Sequence, residues 1–306
     1  MRNTILISGL INIETSLRIT DFPLEYFPVT YPFFGISSTV AGVGYNIAKA
    51  LTILGDRIRF LSIIGQDDSA QLVKLKLVEE NIPWKYVLAK SEQTAQSVII
   101  YDSSGRRQIH TDLKNIQDLS YPQELFDQAL PDSEICVLCN INYSRLLLKR
   151  AKNAGKLVAT DVHAISDLAD EYNQDFMQAA DILFLSDEKL SISPIQFIRE
   201  IWDHCPAEIV VVGLGANGTL LGLRKDHAIE PIPAVQIRPI RNSIGAGDAL
   251  FSSFLHSFNL GMAPYDALRK AVVFASYKIG VASASDGFLS AQELDDLSAK
   301  VYQTGI

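Results

Sequence analysis

The stretch RNSIGAGDALF, residues 241–251, holds the residues whose types and spacing are best suited to chemistry. Two glycines and an acid stand there directly before an apolar run. Beyond the acid, large apolar residues recur at the i, i+3, i+4, i+7 spacing of one helix face, at Phe251, Phe254, Leu255 and Phe258. The pattern predicts a helix that begins within residues 244–247 and stops at Gly261.

The turn before this helix is suited to binding an anion. The first amides of a helix lack intrahelical partners and carry the positive end of its dipole. Because positions 245 and 247 are glycine, no side chain would obstruct a ligand that approaches those amides. We therefore expect the backbone of Gly245, Ala246 and Gly247 to hold a phosphate or a transition-state oxyanion.

Asp248 would lie beside that anion, and its role has two interpretations. An acid is repulsive there unless it serves a purpose, such as accepting the proton of a hydroxyl group that attacks a phosphoryl group. Alternatively, Asp248 only stabilises the first turn of its helix electrostatically. One glycine-rich helix start does not decide between the two.

The elements that must position this turn follow a βαβ rhythm. Apolar runs predict strands at residues 4–9, 57–65, 134–139, 156–161, 181–186 and 208–213. Amphipathic helices lie between several of them, and the clearest, residues 42–55, ends at Gly55. This alternation is typical of an α/β fold with a mostly parallel sheet that is covered on both faces.

Two segments depart from the rhythm, at residues 13–38 and 94–112. Both read as short strands, and the second contains a turn at DSSGRR. We expect them to form a small β flap on the α/β body. No linker is long enough to separate two bodies, so we expect one domain over residues 1–306.

Four motifs of the chain resemble those of the ribokinase-like (PfkB-type) sugar and nucleoside kinases. NSIGAGD resembles the family's D-T-x-G-A-G-D signature, and AGVGYNIAKALTILG resembles its G-G-x-x-x-N-x-A…L-G motif. The segment after the second predicted strand resembles G-x-D-x-x-G…L…G-I, and VVVGLGANGTLL resembles a strand, turn and strand. These motifs lie at residues 242–248, 41–55, 64–83 and 210–221. The resemblance implies a three-layer α/β/α fold with a small β-sheet lid.

The resemblance also implies a reaction, the ATP-dependent phosphorylation of a primary hydroxyl group of a sugar, with a pseudouridine-kinase-like nucleoside kinase as the alternative. Asp248 would be the catalytic base, and the amides of residues 245–247 would form the anion hole. The substrate would meet Asn12, Glu14, Gly42 and Asn46. From the residues alone, Glu14 could instead be a solvated lid residue and Asn46 could merely cap its helix.

The nucleotide site implied by the resemblance lies in the C-terminal half. It would border the turn at residues 213–218, with the adenine walled by residues 235–237 and the helix that follows 264. The nucleotide-binding residues would be Ser186, Gly213, Gly215, Gly218 and Ala275. Glu188, in SDEK where the family has N-x-x-E, would approach Mg²⁺ through a water molecule.

The family pattern is altered at several positions of this chain. Glu14 replaces an Asp, Ala41 replaces a Gly, and Asn242 with Ser243 stands where the family has Asp and Thr. The loss of an acid at Asn242 puts any monovalent-cation site there in doubt. Together with the missing N-x-x-E, it motivates a further alternative, a catalytically silent binding protein.

The composition argues against several other classes of protein. A net charge of −8 argues against nonspecific binding to nucleic acid or to an anionic membrane. Three cysteines are too few for a disulfide framework, and Cys136 with Cys139 in a predicted strand would be core thiols on opposite faces. No histidine has metal-ligand spacing, so we expect no transition-metal site. We also expect a cytoplasmic homodimer that pairs through the lid, as such flaps often do in the family.

The main rival is an NAD-dependent oxidoreductase. GLGANG, residues 213–218, follows a strand and fits the dinucleotide fingerprint G-x-G-x-x-G. That fingerprint needs a helix directly after it, because the pyrophosphate sits on the helix N-terminus. The following TLLGLRKDHAIEP reads as strand and turn, which weighs against this alternative.

Overall fold

The structure is a computed structural model that describes residues 3–104, 106–281, 283 and 285–304. The strands are β1 Thr4–Ser8, β2 Asn12–Arg18, β3 Ile36–Ala41, β4 Arg57–Ile64, β5 Tyr86–Ala89, β6 Gln96–Tyr101, β7 Arg107–Asp112, β8 Ser133–Leu138, β9 Leu157–Ala164, β10 Ile182–Ser186, β11 Ile209–Gly213, β12 Thr219–Leu223 and β13 Ala228–Ile232. The helices are α1 Val43–Ile53, α2 Asp68–Glu79, α3 Gln123–Ala129, α4 Asn142–Asn153, α5 Gln174–Ala179, α6 Pro194–His204, α7 Ala246–Asn259, α8 Pro264–Lys278 and α9 Ala291–Thr304.

The large sheet has the strand order β13-β12-β11-β10-β9-β8-β1-β4-β5. The neighbours from β11 to β5 pair in parallel, and β12 and β13 add antiparallel strands at one edge. All six strands predicted from the sequence lie in the parallel part. The prediction of a mostly parallel central sheet is therefore confirmed.

Helices cover both faces of this sheet because its strands are apolar on both sides. In β1, Ile5 and Ile7 pack with residues of α1, α2, α7 and α8, whereas Leu6 packs with residues of α3, α4, α5 and α6. The predicted three layers are thus present. Cys136 and Cys139 fall into the two opposite cores as predicted, and burial raises the pKa of the Cys136 thiol to about 12.

The small sheet has the order β3-β2-β6-β7. β2 and β6 are parallel, while β2–β3 and β6–β7 are antiparallel pairs. Its strands lie within the two segments that departed from the βαβ rhythm or extend up to three residues beyond them. The predicted small sheet, here called the lid, is therefore confirmed. β2 begins four residues after the end of β1, and β3 ends two residues before the start of α1. Short connections therefore join the lid to the main body at these two strand ends.

The dinucleotide interpretation of GLGANG is wrong. The motif ends β11 and continues into a short 3₁₀ helix, Gly215–Asn217, and then into the antiparallel strand β12. No α-helix begins there, so no helix N-terminus would stabilise the charge of a dinucleotide's pyrophosphate. A separate observation is that no helix in the described ranges is long and apolar enough to cross a membrane.

Candidate active site

The turn before α7 has the geometry of a helix start that only glycine adopts without strain. Gly245 is the N-cap with φ 74° and ψ 9°, in the left-handed region. Just before it, the buried side chain of Asn242 accepts a hydrogen bond from the backbone N–H of Ile244 at 3.0 Å. An amide oxygen can accept this hydrogen bond as a carboxylate oxygen can, so Asn at position 242 is compatible with this turn although the family has Asp there.

The three predicted anion-hole amides are not equivalent. The N–H of Ala246 already donates to the carbonyl of Ser243 at 3.2 Å. For the N–H groups of Gly245 and Gly247, the described part of the chain supplies no backbone acceptor. A Cβ placed on Gly247 would lie 3.7 Å from Oδ2 of Asp161. The amides of the two glycines are therefore the ones left for a ligand.

Asp248 is buried and hydrogen-bonded across the molecule. Its Oδ2 accepts a bond from Nδ2 of Asn46 at 2.6 Å. The side chain of Asn46 makes no capping hydrogen bond to α1, so the alternative that it merely caps its helix is wrong. Burial raises the pKa of the Asp248 carboxyl group, and the Asn46 bond acts against that rise.

Two further residues that face Asp248 were not predicted from the sequence. Asp161 and His163 lie in the last half of β9, and the His163 backbone N–H donates to Oδ1 of Asp161 at 2.8 Å. The charge on Asp161 raises the pKa of Asp248, and a charge on His163 lowers it, after the larger effect of burial. A usable signal existed, because ligands of open α/β sheets gather at the carboxyl ends of the strands.

The predicted substrate residues lie on both sides of this cleft. Gly42, at the junction of β3 and α1, has φ 106°, and a Cβ there would come 2.6 Å from the carbonyl oxygen of Leu10. Glu14 and Asn12 lie on β2 and are buried. Glu14 is therefore not the solvated lid residue of the alternative. Its pKa rises to about 7, first because it is buried and second because Asp248 is near.

Two amide groups of this site have unused acceptors. Asn12 donates through Nδ2 to Ser97 at 3.0 Å, as Asn46 does to Asp248. Oδ1 of each asparagine is buried, with no hydrogen-bond partner among the described residues. Buried polar atoms are rarely left unpaired, so both oxygens are available to the hydroxyl groups of a ligand.

A buried cation completes the charge pattern. Lys278, at the end of α8, is 0% exposed. Burial lowers its pKa to about 8, against the attraction of Asp248, Asp286 and Glu14. The burial of Lys278 was not predictable from the sequence, because a single lysine at the end of a helix commonly faces solvent.

Some of the predicted nucleotide-binding residues lie close together. Ser186 at the end of β10 pairs in register with Gly213 at the end of β11. Gly218 has φ 92°, and a Cβ there would come 2.1 Å from the carbonyl oxygen of Ile232. Gly215 lies in the same turn, with φ 56°. Ala275 of α8 packs against the same apolar cluster as residues 235 and 237, and its contact with a nucleotide stays a prediction.

Glu188 lies beside the lid. It belongs to a short 3₁₀ helix, Asp187–Lys189, and its side chain is 61% exposed. Arg107 of β7 reaches it at 3.4 Å and donates to Oγ of Ser243 at 2.6 Å. One guanidinium group thus joins the lid to both the anion-hole loop and the predicted metal residue. Within the described ranges, no group of three or more His, Cys, Asp or Glu could hold a metal ion.

Comparisons with known proteins identify the family and the fold. Residues 4–291 match the family described as pfkB family carbohydrate kinase. The acarbose 7(IV)-phosphotransferase of Actinoplanes sp. is 24% identical over 285 residues, covering 92% of this chain and 94% of that protein.

Solved structures share the fold over nearly the whole chain. A microbiome-derived acarbose kinase has a TM-score of 0.86 at 23% identity, with 97% of this chain and 99% of that one covered. The ribokinase of Arabidopsis thaliana, complexed with ribose and ATP, has a TM-score of 0.81 at 18% identity, with 97% and 99% covered. At these identities the structural likeness establishes the fold.

Proposed function

Because the chain belongs to the pfkB family of carbohydrate kinases, we propose that it transfers the γ-phosphoryl group of ATP to a primary hydroxyl group of a sugar. The observation that carries this proposal is the buried carboxylate of Asp248, held by Asn46 at 2.6 Å in the first turn of α7. An exposed acid would be enough to stabilise a helix start. A buried one that faces a second helix is placed to act on a ligand.

The proposed reaction is an in-line displacement. Asp248 accepts the proton of the attacking hydroxyl group. At the same time the hydroxyl oxygen bonds to the γ-phosphorus, and the bond between the γ-phosphorus and the β-phosphate oxygen breaks. The amides of Gly245 and Gly247 stabilise the charge on the transferring group. Asn46 orients the base, and the lid, joined to the body by Arg107, keeps water from competing for the phosphoryl group.

Mg²⁺ fits this site as a companion of the nucleotide. Mg²⁺ is usually held by one or two carboxylates, several waters and the substrate phosphates. Glu188 offers one such exposed carboxylate near Ser243 and the lid. When bound, the ion would neutralise phosphate charge. A monovalent cation finds less support, because the amide of Asn242 carries no charge to attract it.

A polyhydroxylated substrate suits the other half of the cleft. The unused Oδ1 atoms of Asn12 and Asn46 accept bonds from hydroxyl groups, and Glu14, once ionised, accepts two more. A nucleoside offers a similar diol through its ribose, so it stays the alternative. The test is an ADP-release screen over pentoses, hexoses, sugar phosphates and nucleosides.

The base assignment is tested on the best substrate of that screen. We expect Asp248→Asn to lose about 10²–10⁴-fold in kcat, the usual contribution of a general base. Asp266→Asn is the matched control, because Asp266 is an exposed acid in the first turn of α8. Full turnover by Asp248→Asn would refute the assignment. If the wild type turns over no compound of the screen, the silent binding protein is favoured instead.

We also propose a homodimer that pairs through the lid in the cytoplasm. β7 is an edge strand whose six residues are all exposed. The loop between β2 and β3 exposes large apolar side chains that a partner would cover, at Leu24, Tyr26, Phe27, Val29, Tyr31, Phe33 and Phe34. Light scattering should give twice the chain mass, and the combined change of Tyr26, Phe33 and Phe34 to serine should give the monomer. A monomeric wild type would refute this proposal.

A further inference from the structure

Arg107 lies on the face of the lid that covers the body of the protein. It is the first residue of β7, and the register of the small sheet pairs it with Tyr101, which pairs in turn with Arg18. Paired residues share one face of a sheet, and successive side chains of a strand alternate between the faces. Arg107 therefore shares its face with Glu14, four residues before Arg18 on β2, and Glu14 is buried.

The same face of the lid is seated on the loop that precedes α7. Ile99 of β6 lies two residues before Tyr101 and therefore on the same face. It forms a small buried cluster with Ala41 and Ile244. Because Ile244 directly precedes Gly245, the N-cap of α7, this contact places the lid next to the turn whose amides are left for a ligand.

The guanidinium group of Arg107 reaches that loop directly. Its Nη1 donates to Oγ of Ser243 at 2.6 Å, and its Nη2 lies 3.4 Å from Oε1 of Glu188. The hydroxyl group of Ser243 carries no charge, and the Glu188 side chain is 61% exposed, so water weakens this ion pair. Neither contact is the bidentate pair that a guanidinium group makes with a carboxylate or a phosphate. The charge of Arg107 is therefore available to a ligand.

The neighbouring Arg106 has the opposite arrangement. Its Nε donates to Oδ2 of Asp102 at 2.8 Å, and the Asp102 side chain is 1% exposed. Its Nη2 bonds to Asp21, and its guanidinium group lies over the ring of Phe22. All three partners belong to the lid segments, so Arg106 stabilises the lid itself. The side chain of Arg107 instead contacts two residues of the body.

A cavity of about 820 Å³ gives a ligand access to Arg107. Glu188 and Lys189, from the short 3₁₀ helix that follows β10, line the cavity together with Arg107. Ser186, one of the predicted nucleotide-binding residues, is the N-cap of that short helix. A ligand therefore reaches the guanidinium group from the side of the predicted nucleotide site.

The α7 turn needs positive charge if it is to hold a phosphate. Asp248 lies in the first turn of α7, and Oδ2 of Asp161 lies 3.7 Å from the position that a Cβ on Gly247 would take. Two carboxylates thus stand beside the amides of the anion hole, and those amides carry only partial charges. Cations must oppose the repulsion between these carboxylates and a phosphate. The guanidinium group of Arg107, which Ser243 holds at the same loop, supplies one such charge.

We propose that Arg107 is a catalytic residue that the closed lid supplies to the transferring γ-phosphoryl group. The proposal rests on the function proposed above, because it requires phosphoryl transfer at the α7 turn. When the phosphate occupies the amides of Gly245 and Gly247, the guanidinium group exchanges its two present partners for two phosphoryl oxygens. Those oxygens carry the charge of the transition state, which a guanidinium group stabilises. Closing the lid thus completes the anion hole.

Two variants separate this role from that of a simple latch between the lid and the body. Loss of a latch raises KM, because the site closes less readily, whereas loss of a bond made in the transition state lowers kcat. We expect Arg107→Met to lower kcat about 10²–10³-fold, the usual contribution of one anion-hole donor. Ser243→Ala removes the latch bond and leaves the guanidinium group in place, so it should raise KM and lower kcat far less.

Three kinetic outcomes decide between these roles. Arg107→Lys keeps the charge without the planar pair of donors, so it should restore part of kcat. An equal loss of kcat in Ser243→Ala and Arg107→Met would overturn the proposal, because the guanidinium group would then act only through the latch. A rise in KM confined to sugar phosphates, with kcat unchanged, would place Arg107 at the sugar and overturn the proposal as well.

A binding measurement tests the same role without a sugar. Aluminium fluoride, added to ADP and Mg²⁺, mimics the transferring phosphoryl group, and isothermal titration gives the affinity for ADP with and without it. The wild type should bind ADP more tightly in its presence, as enzymes bind mimics of the transition state. Arg107→Met should lower this ratio of affinities at least about tenfold. Arg106→Met is the matched control, which removes the adjacent cation that bonds within the lid, and it should keep the ratio.

The binding results also distinguish failure of this proposal from failure of the proposed function. If the wild type binds ADP equally well with and without aluminium fluoride, the proposed function fails, and the role of Arg107 fails with it. If the wild type shows the gain and Arg107→Met keeps it, only the role of Arg107 is overturned. An equal loss of the gain in Arg106→Met would also overturn that role, because loosening of the lid would then explain the result.

Discussion

Replacing Glu14 by glutamine should make the protein more stable and less active at the same time. Glu14 is buried beside Asp248, and its pKa rises from 4.5 to about 7 because of burial and that neighbouring charge. Glutamine has nearly the same shape without the ionisable proton. The substitution thus removes a charge that the fold holds at a cost.

The magnitude follows from the two pKa values. Between pH 4.5 and 7 the folded protein binds more protons at Glu14 than the unfolded chain does, so this residue lowers stability as pH rises through that range. A shift of this size corresponds to about 3 kcal/mol once the group is ionised in both states. Glu14→Gln should recover up to about 3 kcal/mol at pH 8 and almost nothing at pH 4.5.

The assay is urea unfolding of the wild type and Glu14→Gln at both pH values. Glu230→Gln is the matched control, since Glu230 also lies on a strand but its side chain is exposed. The KM for the sugar should rise, because an ionised acceptor of hydroxyl groups is lost. A variant that is no more stable than the wild type at pH 8, or that gains as much at pH 4.5, would refute the reasoning.

Two further variants test the backbone and the lid. Gly42→Ala should lower the free energy of unfolding more than Gly155→Ala does, by at least about 1 kcal/mol. Both glycines have positive φ, but only at Gly42 would a Cβ lie against a carbonyl oxygen. Equal losses in urea unfolding would contradict this. Arg107→Met should raise KM by about twofold to tenfold, the worth of one hydrogen bond, because its bond to Ser243 holds the lid closed. Arg145→Met, which removes an ion pair on α4, should leave KM unchanged, and an equal rise in both variants would contradict the role of Arg107.

Much of the fold was predictable because its signals are local. Continuous apolar runs bounded by turns are typical of strands buried on both faces, and each run recurs in the parallel part of the sheet. The start of α7 was equally clear, since glycines at 245 and 247 directly precede an apolar 3.6-residue period that marks one helix face. The pairing of Asn46 with Asp248 is different, because 202 residues separate the two side chains.

The parts of the site that escaped prediction depend on long-range placement. Asp161 and Lys278 carry no local motif, and only the parallel sheet and the packing of α8 on α7 bring them to Asp248. The unequal amides of the anion hole were also hidden, because the bond from Ala246 to Ser243 depends on the dihedral angles of the turn. Glycine content alone gives no such distinction.

The lid contributes the carboxylate of Glu14 to the cleft, and the body contributes those of Asp248 and Asp161. Opening the lid would move Glu14 into water and away from Asp248, which removes both causes of its raised pKa. We therefore expect the charge of Glu14 to oppose closure of the lid and the bond of Arg107 to Ser243 to favour it. In the proposed reaction, a sugar hydroxyl group that donates to Glu14 would favour closure further, because a hydrogen bond stabilises the ionised form. We therefore expect the lid to close most readily around a polyhydroxylated ligand, which would link recognition of the sugar to the exclusion of water.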